Sequence, residues 1–203
     1  MRSVTSLPEE FEEWSTIDLK RDKSLMIVLS ILSIVVFLGT GWLFFMLANW
    51  LAPAFVSNST QTFGPLEILI GLLVVSVVML VGHEAIHGLF FWIFTGNRPV
   101  FGFHWVYAYA AAPGWYIPRV PFIIIGLAPL VLITLLGLLL LPFVSSVLVA
   151  LTFVLAMTLN AGGAVGDLYV VCWLLGKRGP LLIRDYGDGM TVYGVQRNQL
   201  AKG

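Results

Sequence analysis

Four stretches of this chain are too long and too apolar to be folded by water. Leu25 to Leu51 holds no charged side chain, and about 20 apolar residues in a helix are enough to cross a bilayer. Leu66 to Thr95, Pro121 to Val144 and Val147 to Leu175 are of the same kind, with few ionisable residues inside them. A backbone in hydrocarbon must satisfy its own hydrogen bonds, so such stretches have to be helices. Only 11% of the residues are charged, against about 25% in soluble domains. The expected fold class is therefore an all-α polytopic membrane protein with about four transmembrane helices.

The joints between the spans fix an orientation. All eleven Lys and Arg fall in the N-terminal tail, between the second and third spans, or in the C-terminal tail. None falls in the 52–65 loop, which carries the sequon Asn58-Ser59-Thr60, or at Ser145-Ser146. With four spans the three basic segments share one side, and positive charge marks it as cytoplasmic. The expectation is an integral, multi-pass protein with both termini in the cytoplasm. Its parts would be a cytoplasmic N-terminal segment (1–24), a four-span membrane domain (25–180) and a cytoplasmic tail (181–203). The formal net charge is zero, which gives no basic surface for nucleic acid; the lipid bilayer is the expected surroundings. No cleavable leader is expected from the polar N-terminus.

Three segments outside the spans carry patterns. Phe11, Trp14 and Ile17 sit at near-helical spacing among acidic residues, which reads as a short surface helix or a solvated tail. Between spans two and three, Phe101, Phe103, Trp105, Tyr107 and Tyr109 alternate with mostly small residues. Period two over ten residues predicts one strand with an aromatic face, returning through Trp115-Tyr116-Ile117 as a short β-hairpin. In the tail, Leu181–Arg184 and Met190–Val195 flank a Gly/Asp turn and predict a second small hairpin. Cys172, in an apolar run, reads as a small buried hydrophobe.

Chemistry concentrates in span two, at His83-Glu84-Ala85-Ile86-His87. Histidines at i and i+4 on a helix point the same way, one turn apart, which suits two ligands of one zinc ion with the glutamate beside the open position. Asp167 in span four lies at a matching depth, both sites being roughly 13–17 Å from the cytoplasmic helix ends at 1.5 Å per residue. The expected metal ligands are His83, His87 and Asp167 around one Zn²⁺ per chain. Glu84 is the expected general base, and Asn160, on the same helix face as Asp167, is expected to bond a substrate backbone or an oxyanion. His104 reads as a hydrogen-bonded interfacial residue. Gly162, Gly163 and Gly166 would let helices approach closely in lipid.

These residues also carry a likeness. The His83–His87 motif in an apolar span, followed by Asn160-Ala161-Gly162-Gly163-Ala164-Val165-Gly166-Asp167-Leu168, resembles the putative zincin peptidase family, a domain family related to site-2 proteases. Tyr116-Ile117-Pro118-Arg119, Gly126-Leu127-Ala128-Pro129 and Arg184-Asp185-Tyr186-Gly187-Asp188-Gly189 fit it as well, so the likeness covers roughly residues 65–195. It implies an intramembrane metalloprotease fold, with His83, His87 and Asp167 as zinc ligands and Glu84 as catalytic acid/base. The chain departs from the site-2 pattern in having no proline after Asn160, a spacing to Asp167 one residue shorter, and Leu168 after rather than before the aspartate.

The expected function is a zinc-dependent intramembrane endopeptidase acting on a membrane protein or peptide, in a membrane-embedded or juxtamembrane stretch. The alternatives are a non-enzymatic metal-binding membrane scaffold, a haem or other-metal site, and a metal transporter.

Overall fold

A computed structural model describes residues 2–18, 22–53, 64–104, 107–187 and 189–195. The 52–65 loop with its sequon, the tip at Trp105-Val106 and the end of the tail lie largely or wholly outside the described residues. Among these residues five α-helices and six strands follow in the order β1 (Phe11–Asp18), α1 (Lys23–Leu51), α2 (Pro65–Thr95), β2 (Val100–His104), β3 (Tyr107–Ala111), β4 (Ile117–Pro118), α3 (Arg119–Leu140), α4 (Val147–Gly163), α5 (Val165–Leu175), β5 (Leu181–Asp185) and β6 (Gly189–Val195). Among the described residues three helices are long and apolar enough to cross a membrane, or four if the bent pair α4–α5, interrupted at Ala164, counts as one span. The chain divides into two compact units. One comprises residues 1–28, 84–128 and 167–203, and the other residues 29–83 and 129–166.

The second unit is helical. Phe44 and Ala48 of α1 share a core with Leu141, Val144, and Ala150, Val154, Met157 and Ala161 of α4. Small residues set the spacing between helices: a Cβ on Gly162 would lie 3.3 Å from Phe37, and one on Gly137 would run into the Met157 side chain. The outward faces are as apolar as the core, with Leu38, Trp42, Leu73 and Leu139 all more than half exposed. Water does not tolerate so much apolar surface in a folded monomer, whereas lipid does.

The first unit is organised by an antiparallel sheet of order β1-β6-β5-β4. Its inward face carries Ile117, Leu181, Ile183, Met190 and Val192, which close a core with Phe91 of α2, Phe122 and Ile125 of α3, and Leu174 of α5. The tail hairpin is as expected, but it is the middle of a larger sheet. Residues 11–18, expected as a helix or a solvated tail, are a strand on β6, and Val4 bridges to Tyr116 at the opposite edge. A bulge between Glu13 and Ser15 explains the misleading spacing. An extra residue in the strand lets Trp14 cover Gly194 while Ile17 still reaches the core.

The aromatic segment also differs from expectation. It folds back on itself, pairing Val100 with Ala111 and His104 with Tyr107 in a separate two-stranded sheet. Because Phe101 pairs with Ala110 and Gly102 with Tyr109, the alternation changes face across the turn. The β2 rings Phe101 and Phe103 therefore lie on one side and the β3 ring Tyr109 on the other. Ile117 does not return to this hairpin; it pairs with Ile183 of β5. Cys172, expected buried, is exposed on α5.

Candidate metal centre

Helix α2 is unbroken through the motif, so His83 and His87 stack one turn apart on one face. The candidate ligand atoms of His83, Glu84 and His87 all lie within 4.8 Å of one another. Both histidines are 8% exposed, and Glu84 is half-buried between them.

Each imidazole is held from behind by an oxygen. His87 Nδ1 is 2.9 Å from the carbonyl oxygen of Ile125. A carbonyl only accepts, so Nδ1 carries a proton, and Nε2 is the nitrogen the neutral ring offers as a lone pair. His83 Nδ1 is 2.9 Å from Oδ1 of Asn160. Asn160 is buried, and its amide nitrogen faces two backbone carbonyls, Pro129 O at 3.2 Å and Leu130 O at 3.5 Å. Those acceptors fix which end of the amide is nitrogen. Asn160 Oδ1 therefore accepts from His83 Nδ1–H, and the His83 lone pair also falls on Nε2. Metal-binding histidines have this character: the second ring nitrogen donates to a carbonyl or amide oxygen, which orients the ring.

Asp167, in the first turn of α5, completes the arrangement around His87. Its Oδ2 lies 3.4 Å from His87 Nε2. Two ligands bound at about 2.0–2.1 Å on a tetrahedral ion are separated by about 3.3–3.4 Å. The donor set, its second partners and this separation all fit zinc. Of the residues expected at the site, His83, Glu84 and His87 are grouped on α2 and Asp167 meets His87. Asn160 spends its amide on His83 and on the carbonyls of α3, where the sequence suggested substrate contact. The side chain of His104 lies outside the described residues.

One acid near this site was not singled out from the sequence. Asp185 ends β5 on the face that carries Leu181 and Ile183, and its Oδ1 accepts the Gly187 N–H at 2.7 Å. Its carboxyl is pushed up from 3.8 to about 7, first by burial and further by the negative charge of Asp167, while the Gly187 N–H and His87 pull it down. The signal was available: in Leu181-Leu182-Ile183-Arg184-Asp185, strand alternation puts the acid on the apolar side. Arg184, on the opposite face, lies 5.4 Å from the ring centres of Tyr116 and Tyr186 and donates to the Tyr116 hydroxyl at 3.3 Å. The β3 ring Tyr109 fills the space above Gly187, where a Cβ would collide with it.

Comparison with known proteins places residues 74–179 in a family model described as putative zincin peptidase. That match takes in α2 from before the motif through α5. No curated protein and no solved structure matches the chain.

Proposed function

This chain belongs to the putative zincin peptidase family, and from that premise we propose that it is a zinc-dependent intramembrane endopeptidase of the site-2-protease kind. His83, His87 and Asp167 would hold the ion, with Glu84 next to the two histidines. Zinc bound there would supply Lewis acidity toward a peptide carbonyl and a water molecule. Glu84 takes the proton from the attacking water and returns it to the leaving amine. Asn160 and the Ile125 carbonyl keep the two imidazoles turned toward the ion. The substrate is a membrane-embedded or juxtamembrane peptide, and an edge of the β2–β3 hairpin offers backbone groups for pairing with an unwound stretch of it. The helices α1, α2, α3 and the α4–α5 pair span the bilayer, with both termini and the four-stranded sheet on the cytoplasmic side.

The observation that carries this reading is the pairing of two backed histidines with the 3.4 Å approach of Asp167 to His87 Nε2. It is tested with Glu84→Gln in purified protein. The variant is expected to retain zinc while peptide cleavage falls by at least 10²-fold, the usual scale of acid–base catalysis. Cleavage at the parent rate would remove Glu84 from the role of base.

A further inference from the structure

Pro129 lies inside α3 and is fully buried. A proline within a helix has no N–H to donate, so the carbonyl four residues earlier loses its helical partner. Four residues before Pro129 is Ile125, and the Ile125 carbonyl is the oxygen that accepts His87 Nδ1–H at 2.9 Å. The missing bond of α3 and the hydrogen bond that orients His87 thus involve the same oxygen.

We propose that Pro129 is a positioning residue for the metal centre: by withholding an N–H from α3 it reserves the Ile125 carbonyl for His87. In the presence of a competing N–H, that carbonyl would be shared, and its hydrogen bond to the imidazole would weaken. The ring would then be held less firmly in the orientation that turns Nε2, the nitrogen that would bind the ion, toward Asp167. The effect is specific to one histidine. His83 is backed through Asn160, whose amide donates to the carbonyl of residue 129 at 3.2 Å. Any amino acid at 129 keeps that carbonyl. Proline is needed for the His87 arm and not for the His83 arm. A kink alone predicts no such asymmetry.

The inference rests on reading His83 and His87 as metal ligands, and its test separates the two. Full-length wild type, Pro129→Ala and Pro129→Val, each of the latter two carrying an N–H at 129, are compared in a membrane mimetic. Zinc affinity is measured by chelator competition, and the Nδ1–H hydrogen bonds of ¹⁵N-labelled histidine in the metal-free protein by NMR, with His87→Asn identifying the His87 signals. Both variants are expected to bind zinc about 10–100-fold more weakly, the range found for losing a partner behind a metal ligand. The His87 Nδ1–H signal should move upfield and exchange faster, as its hydrogen bond weakens, while that of His83 stays. Metal-free thermal stability should hold or rise, since the helical bond is restored. Unchanged zinc affinity together with unchanged His87 signals would overturn the role given to Pro129, as would equal shifts at His83 and His87. Wild type that takes up no zinc would instead overturn the ligand reading, and the Nδ1–H comparison would still decide whether Pro129 controls His87. If either substitution prevents folding, the other supplies the comparison.

Discussion

A histidine presents a lone pair on one ring nitrogen only because something fixes the proton on the other. His83 and His87 meet that requirement by different routes, a side-chain amide and a main-chain carbonyl. The spacing of the motif makes the ligand pair legible from the sequence, because i and i+4 share a helix face in any helix. The partners behind them are not legible. A backbone carbonyl leaves no mark of its own in a sequence, and Asn160 lies 77 residues from His83. Asp185 makes a prediction at this scale. In the folded chain its carboxyl holds its proton up to about pH 7, whereas its ordinary value is 3.8. Between those values the folded state binds more protons than the unfolded one, so this group lowers stability as pH rises. Asp185→Asn removes the slope. Metal-free melting temperatures at about pH 4 and about pH 7 should show the variant gaining on the wild type at the higher pH. An equal difference at both pH values would show that Asp185 titrates normally.

Among the elements, periodicity reports which face a residue takes but not where a strand reverses. Alternation from Phe101 to Tyr109 is real, but it does not show that the chain turns in the middle. The pairing of His104 with Tyr107 exchanges the faces while the alternation runs on in the sequence, where Trp105-Val106 holds no Gly, Asn or Asp. The strand β1 was hidden by its bulge. The tail hairpin was legible because Gly187 and Gly189 punctuate two apolar runs, and Gly187 indeed adopts a positive φ of 89°. The hairpin β2–β3 docks on α2 at Gly88, one turn after Glu84, where an added Cβ would overlap the ring of Phe101. Gly88→Ala is therefore expected to destabilise the protein by about 1–3 kcal/mol, the usual cost of overpacking. A second change, Phe101→Ala, should relieve much of it. A cycle of the four proteins followed by thermal melting tests this; additive losses would mean that the two residues do not meet.

At the scale of the molecule, composition and the apolar runs led to an expectation of about four membrane-length helices; the described residues hold three, or four if α4–α5 is one span. The four-stranded sheet was beyond reach, since it joins residues 11–18, 117–118, 181–185 and 189–195. Such pairings depend on contacts across the whole chain, and no local signal reports them. The proposed orientation, with both termini cytoplasmic, predicts that a fluorescent reporter fused to the C-terminus matures inside the cell; a reporter active only when exported would contradict it. Whether the α2 histidines and Asp167 hold one catalytic zinc is decided by metal analysis of purified protein, wild type beside Asp167→Ala. About one zinc per wild-type chain and a clear loss of occupancy in the variant are expected. Wild type without zinc, or a variant that keeps it in full, would contradict that assignment.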